Sequence, residues 1–333
     1  MKKMITGKRI AGTAAIPLVF LAILGGICMA NGKAMIANAA GFNNFLIYTA
    51  IVMCTTTALS INLNSGRFDF SLGSMSMLSA VIGARLSYAV LHGQSGSAAV
   101  TLIFTVIFGA ILGLVSGALY VLLRLPPIIT SLGVTLIYEG ILFTITGGRY
   151  LMKEVQNTSM SAFAGTWVYV VLLIAAVLAV SIVLFDHTEF GYNYRALKNG
   201  QKVAVNTGIR EIPNAIGCYV FCGALMGLVG FLNAVRNTSI NGGELNFGSI
   251  SIMFTAFLPM FIGSYISRYS NEKFGFLIAA LCMSMLNSTF AVFSNEVSSS
   301  MQAIINALAL VVFLIYLNNE GLIVRFLQRP AAS

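Results

Sequence analysis

The stretch DHTEFGYNYRALKNGQKVAVNTGIREIP, residues 186–213, decides how this chain is read, because it is polar and basic where nearly everything around it is apolar. The runs on either side of it, about 165–185 and 214–235, have the length at which an apolar helix crosses the hydrocarbon core of a bilayer. The whole chain is 58% hydrophobic and only 9% charged over 333 residues, with a mean hydropathy of +0.89. Soluble domains carry roughly 25% charged residues, so a soluble globular fold is excluded. In lipid every backbone N–H and C=O must be paired internally, which leaves helices or closed barrels. Apolar runs near twenty residues without two-residue alternation select helices. The chain is therefore expected to be an all-α integral membrane protein. Its loops are pared short except for one basic, structured-looking loop, which reads as a surface offered to something soluble.

Ten transmembrane helices are expected, at about 10–30, 42–63, 70–91, 98–123, 127–146, 165–185, 214–235, 248–267, 274–294 and 299–317. The third is rich in Ser and Gly over Ser71–Ser79 and reads as a broken helix starting within the membrane. The basic segment Met1–Arg9 ahead of a long apolar run reads as the flank of an uncleaved first helix. With the N-terminus in the cytoplasm, fourteen of the nineteen Lys and Arg residues fall on the cytoplasmic side, a strong positive-inside bias. Both termini then come out cytoplasmic. The expected layout is a short tail at 1–9, one membrane domain at 10–317 carrying the cytoplasmic loop 186–213, and a tail at 318–333. The net charge of +9 follows from this bias and calls for no nucleic-acid partner.

Gly109, Gly113 and Gly117 in the fourth helix, and Gly223 and Gly227 in the seventh, form small-xxx-small faces that let backbones approach closely. Intrachain packing and a subunit interface both fit them. The five cysteines (Cys28, Cys54, Cys218, Cys222 and Cys282) all lie in apolar segments and read as buried packing residues, with no metal site expected. No GxxxxGK[ST] phosphate loop, HExxH or GxSxG occurs, so neither ATP hydrolysis nor other catalysis is expected of this chain itself.

Within the apolar background, GRFDFSLGS (Gly66–Ser74) is the most motif-like segment. Asp69 precedes a helix start, where it can accept from free N–H groups and suits the positive end of the helix dipole. Gly66 and Gly73 permit a tight turn and a close neighbour, and Ser71 and Ser74 complete the segment. A helix cap and a solute contact are both open readings. Glu139 lies near the middle of the fifth helix, at a depth where a carboxylate needs a partner or a watery path; Arg85 is the obvious opposite charge. Asn62, Asn64, Glu139, Asn233 and Asn287 are the candidate path-lining residues, though amides also bond across helices. Pro126 and Pro127 mark the start of the fifth helix.

Three segments in order resemble the permease subunits of ribose-type ABC importers. GRFDFSLGS resembles their GGIDLSVGS-type segment. LPPIITSLGVTLIYEGILFTITGG (Leu125–Gly148) is similar to their VPPFIATLGT…TGG segment, and FGYNYRALKNGQKVAVNTGI (Phe190–Ile209) to their FGRYIYAIGGNxxAARLSGI loop. The likeness covers about 40–317. It implies ten helices in the vitamin-B12-importer-like (type II) permease fold, in the bacterial inner membrane. It also implies cytoplasmic ABC ATPase subunits that hold the ATP and Mg, a second permease subunit, and an extracytoplasmic solute-binding protein. The polar loop becomes the coupling element, with Arg195–Val205 a short helix lying in a groove of the ATPase and ended by Gly208. Arg195, Lys198, Asn199, Lys202, Ala204, Gly208 and Ile209 are its expected coupling residues.

The chain departs from that pattern in places. A glycine-rich run expected between the eighth and ninth helices is Phe257–Gly275 here, keeping only Gly263 and Gly275. Glu139 stands where the family often has Arg, and Lys202-Val203-Ala204 replaces an acidic-Ala-Ala core. Pairing with a paralogous permease would account for these departures. The expected function is the translocation path of an ATP-driven importer for a monosaccharide or similar hydroxylated solute. Nucleosides or other small polar solutes remain open as cargo. So do an ion-coupled secondary transporter using Glu139 and Asp69, and a non-transport scaffold or receptor.

Overall fold

The computed structural model describes residues 6–94 and 96–327; the tails at 1–5 and 328–333, on which the expectation of cytoplasmic termini partly rests, lie outside the described residues. The described residues form thirteen helices. They are α1 (Thr6–Ala30), α2 (Ala39–Asn64), α3 (Leu72–Leu91), α4 (Ser97–Leu123), α5 (Pro127–Thr146), α6 (Thr158–Gly165), α7 (Trp167–Asp186), α8 (Glu189–Asn206), α9 (Glu211–Asn237), α10 (Ile250–Phe254), α11 (Phe257–Ile266), α12 (Glu272–Val292) and α13 (Ser299–Leu327). Nine of them are long and apolar enough to cross a membrane. The remaining expected crossing, the eighth in order, is the pair α10–α11, which together runs Ile250–Ile266. The protein is an all-α integral membrane protein.

Two expectations need correcting. The third helix is not broken: α3 runs without interruption from Leu72. The interruption falls in the eighth crossing, at Thr255–Ala256 between α10 and α11, where both residues keep helical dihedrals but the Ala256 N–H turns to the Met253 carbonyl and the regular ladder lapses. Pro259 supplies the reason. It has no N–H for the Thr255 carbonyl, and its ring excludes a helix running through that carbonyl, whereas in the first turn of a fresh helix it costs nothing. The second correction concerns the polar loop. Thr188 opens α8, its side chain accepting from the Gly191 N–H. The helix is then interrupted at Gly200, whose backbone is extended (φ 174°, ψ 83°). The expected single helix Arg195–Val205 is thus the end of one helix and the start of another. Glycine in a helix interior costs roughly 1 kcal/mol against alanine, so Gly200 is where this helix gives way.

The bundle is built around α2 and α9, whose spans are 83% and 72% buried. At the rim, α13, α1 and α7 are 0%, 11% and 17% buried, the state of helices whose neighbours are lipid or other chains. The tightest contact is α4 on α9. A Cβ on Gly109 would meet the Gly227 Cα at 2.8 Å, and one on Gly223 would meet the Gly113 Cα at 2.8 Å. The two glycine faces therefore serve intrachain packing. All five cysteines are free and buried. At the far end of the bundle from α8, the loop after α5 and the loop after α9 are zipped together. Leu151 and Ile240 exchange N–H···O bonds of 2.9 Å, and the Thr146 hydroxyl donates to the Gly242 carbonyl at 2.8 Å.

Candidate functional site

The GRFDFSLGS segment threads into the bundle as an extended link between α2 and α3. Gly66 takes φ +72° just past α2, a left-handed conformation glycine adopts without a Cβ penalty. Asp69 is 1% exposed. Its Oδ1 accepts from the Ser71 N–H at 2.9 Å and the Ser71 hydroxyl at 2.6 Å, and the Asn62 amide donates to Oδ2 at 3.4 Å. The Ser74 hydroxyl donates to the Ser71 carbonyl. Asn62, itself 1% exposed, also takes the Cys222 thiol at 3.4 Å. These groups satisfy one another inside the protein and leave nothing facing a solute. Gly73 is needed because a Cβ there would run into the Ser249 carbonyl oxygen.

Ser249 leads to Glu139. The Glu139 carboxylate is fully buried, and its oxygens accept from the backbone N–H groups of Phe247 and Ser249, each at 2.9 Å. Its partner is thus the turn ahead of α10, and Arg85 lies exposed elsewhere on α3. That turn is unusual: Asn246 and Phe247 both have positive φ, +56° and +68°. Asparagine tolerates this region, but for a bulky residue it is an outlier. Two charge-assisted hydrogen bonds to the turn hold it in place.

At the opposite end of α9, three carboxylates tie α8 to the bundle. Asp186 at the end of α7 meets Arg195 at 3.1 Å and accepts from Asn271 at 2.8 Å. Glu272 at the start of α12 meets Lys198 at 3.7 Å and accepts from Asn64 at 3.3 Å. Glu211 at the start of α9 accepts from Gln201 at 2.6 Å and from the buried Arg67 at 3.4 Å. The Tyr194 hydroxyl donates to the Ile61 carbonyl, and burial pushes that phenol well above its ordinary value, so it stays a neutral donor. Arg195 and Lys198 are therefore engaged within the chain. What α8 shows outward is Lys202, Asn199, Gln201 and Asn206, with Val203 69% exposed. Ala204 is buried, and the N–H of Gly208 (φ +94°) and that of Ile209 close the helix on the carbonyls of Val205 and Ala204, the Schellman pattern.

Asn233 is a candidate amide set against open space. It borders a cavity of about 220 Å³ with Tyr48, Thr55, Ser251 and Thr255, and a second of about 210 Å³ with Ser76, Asn237, Ser239 and Asn241. Hydroxyls and amides line both, among apolar side chains such as Ile51, Val52 and Ile252, with no charged side chain. Asn287 accepts from Arg236 at 2.8 Å, and Arg236 lies over the Tyr48 ring at 4.7 Å, so Asn287 positions a cation beside the first cavity's wall. Among the described residues no His, Cys, Asp and Glu side chains gather as metal ligands.

Residues 41–317 match the family described as the branched-chain amino acid transport system permease component. The chain belongs to this family. Its curated relatives include the galactose/methyl galactoside import permease protein MglC of Haemophilus influenzae, 24% identical over 65% of this chain and 69% of that one. They also include autoinducer 2 import system permease proteins LsrC. That of Yersinia pseudotuberculosis is 25% identical over 74% of this chain and 69% of its own length. That of Photorhabdus luminescens is 28% identical over 50% of this chain and 49% of its own. No solved structure matches the chain. As a family member it is a multi-span permease component of a transport system.

Sequence reasoning overlooked Arg67, Glu211 and Glu272 as site residues. A signal was present: Asp and Glu number only 10 in the chain, and two of them open long apolar helices.

Proposed function

We propose that this chain is the membrane-spanning permease subunit of an ATP-driven importer in the bacterial inner membrane, moving a monosaccharide or similar hydroxylated solute. The observation that carries the reading is the build of α8. It presents an exposed apolar and basic tip, Lys202 and Val203, and the start of the next helix, α9, adds Ile212, 55% exposed. Ion pairs and hydrogen bonds then fasten α8 to α2, α7, α9 and α12. A partner pushing on that tip acts on α9 through Gln201 and, across the interruption at Gly200, on α2, α7 and α12. The partner is a cytoplasmic ABC ATPase holding ATP and Mg. A second permease subunit, identical or paralogous, completes the path, and a solute-binding protein delivers cargo from outside.

The uncharged linings around Asn233 favour a neutral polyhydroxylated solute, whose hydroxyls amides and serines can bond without a fixed counter-charge. A zwitterionic amino acid would find no carboxylate among those lining residues to pair its ammonium group. The relatives named for import of galactosides and of autoinducer 2 support the importer class. Ion coupling through Glu139 is disfavoured, because both carboxylate oxygens are already committed to backbone N–H groups.

The test is purification of the tagged chain from its host membranes, followed by ATP hydrolysis in lipid nanodiscs, with and without Val203→Glu plus Ile212→Glu. The expected result is an ATPase that copurifies with the parent and is released or uncoupled by the two acidic substitutions. Absence of any ATPase from the parent, together with uptake driven by an ion gradient alone, would overturn the reading.

A further inference from the structure

Five phenylalanine rings form one continuous ribbon where the α2–α3 link meets the discontinuous pair α10–α11. Phe68 and Phe70 lie 4.7 Å apart, Phe70 and Phe254 6.3 Å, Phe254 and Phe257 5.7 Å, Phe68 and Phe257 6.0 Å, and Phe257 and Phe261 6.4 Å. All five centroid separations fall in the range of favourable aromatic pairs. In the link the side chains alternate, the rings of Phe68 and Phe70 half-exposed and Asp69 between them buried. In α10–α11 the rings recur one turn apart. None of the five is fully buried, and Phe254 is 55% exposed. Phe68, Phe70, Phe257 and Phe261 each pack one side against the core and leave the other uncovered, so the ribbon is an edge of the core that a single chain does not close.

The neighbourhood tells what this face meets. On α10–α11 the hydroxyl residues Ser251, Thr255 and Ser264 are all exposed. On α4 the hydroxyl residues Ser97, Thr101, Thr105 and Ser116 are all buried, as is Ser181 on α7, and the exposed side chains along their spans are apolar. Helices α4 and α7 therefore suit lipid. The outer face of α10–α11 instead carries hydroxyl residues on both sides of the ribbon: Ser251 and Thr255 toward the 238–249 loop, where they donate to the Gly248 and Ile252 carbonyls and line the cavity beside Asn233, and Ser264 toward the end carrying Arg268. The link is also mechanically connected. Arg67, immediately before Phe68, is held by Glu211, which Gln201 of α8 also grips.

We propose that the Phe68–Phe70–Phe254–Phe257–Phe261 ribbon is the hydrophobic gate of the translocation path, drawn open through the Gln201–Glu211–Arg67 connection when α8 moves. The proposal rests on the permease reading and adds the residues that seal it. A narrow apolar constriction stops water and solute by dewetting, and rings on an interrupted helix can swing without unwinding a whole span. The second permease subunit supplies the facing wall.

The test labels single cysteines with a charged, membrane-impermeant methanethiosulfonate in right-side-out and inside-out vesicles bearing the full complex; the parent chain, with its buried thiols, serves as the blank. Ser251→Cys should label from the outer side and Ser264→Cys only from the cytoplasmic side. Adding Phe68→Ala with Phe257→Ala should raise outer-side labelling of Ser264→Cys tenfold or more. Adding Phe68→Leu with Phe257→Leu, which keeps the apolar bulk, should leave it low and shows that the vesicles and fold are intact. Equal labelling of Ser264→Cys from both sides without the alanines, no change with them, or no labelling of either position from either side would each overturn the gate. The readout needs neither solute nor hydrolysis, so a failure of ATPase coupling leaves it legible and the two failures are told apart.

Discussion

The carboxylate of Glu139 holds the backbone N–H groups of Phe247 and Ser249 at 2.9 Å each, clamping a left-handed turn in the middle of the protein. Gly73 presses on the same Ser249, so the buried acid, the turn and the start of α3 form one unit. An arginine at position 139 could donate but not accept, and the turn would have to be built another way. The carboxylate that this chain carries at 139 is thus paired with its own backbone at 247–249.

Glu139→Gln should therefore act on stability rather than on ion coupling. Hydrogen bonds to charged groups contribute about 1.5–3 kcal/mol each, and the amide retains one acceptor. We expect a loss of roughly 1–3 kcal/mol, read as a lower unfolding temperature of the detergent-solubilised protein. Phe247→Gly should recover part of it by relieving the positive φ. Unchanged thermal stability, with uptake abolished only under a proton gradient, would return Glu139 to the transport chemistry.

The α4–α9 contact makes a second, sharper forecast. A Cβ on Gly113 would meet the Tyr219 carbonyl carbon at 2.9 Å and the Gly223 Cα at 3.1 Å, backbone atoms that cannot rotate away. Overpacking costs typically 1–3 kcal/mol, and Gly113→Val should exceed that and sharply lower the folded protein recovered from membranes. Gly26→Ala, where no atom lies within 4 Å, should be neutral. Equal yields of the two variants would contradict this packing.

Much of this architecture was legible in the sequence, for reasons that can be named. Helix lengths follow from bilayer thickness, so nine crossings were readable from hydropathy, and the glycine spacing on α4 and α9 announced a close contact. Hydropathy says little about continuity, however. Ser71–Ser79 resembles a break but helix α3 runs through it, because its hydroxyls bond carbonyls inside the helix. The true break needed attention to Pro259. Partnership was the least legible layer: Glu139 matched Arg85 by charge alone, while the structure matches it to backbone groups more than a hundred residues away, which no side-chain pattern reveals. Arg195 and Lys198 likewise were expected to face an ATPase, and Asp186 and Glu272 come to them only through folding.

The three carboxylates around α8 should differ in weight. Arg195 and Asp186 are 42% and 23% exposed, so Asp186→Asn should cost about 0–1 kcal/mol, as surface pairs do. The Arg67 side chain is only 4% exposed, and losing its partner strands a buried guanidinium. Breaking a fully buried pair costs about 3–5 kcal/mol; since Glu211 is 29% exposed, Glu211→Gln should cost about 2–3 kcal/mol. Thermal unfolding of the two variants side by side checks the order, and a larger effect from Asp186→Asn would reverse this account of how α8 is anchored.

Gly208 offers a way to loosen α8 without touching the bundle. It closes the second half of α8 at φ +94°, a conformation that costs an L-residue roughly 1–2 kcal/mol. Its side-chain position is open, with nothing within 4 Å, so Gly208→Ala adds strain but no clash. The cap should weaken locally, and 1.4 kcal/mol corresponds to about tenfold in an opening equilibrium. We expect amide hydrogen exchange over 203–209 to accelerate roughly tenfold, while the amides of α2 and α9 and the unfolding temperature stay unchanged. If α8 is the element that meets the ATPase, the same variant should lower coupled transport while leaving membrane insertion intact. Exchange that quickens across the whole bundle would instead mean that the α8 cap is part of the global fold, and that the tip cannot move independently of it.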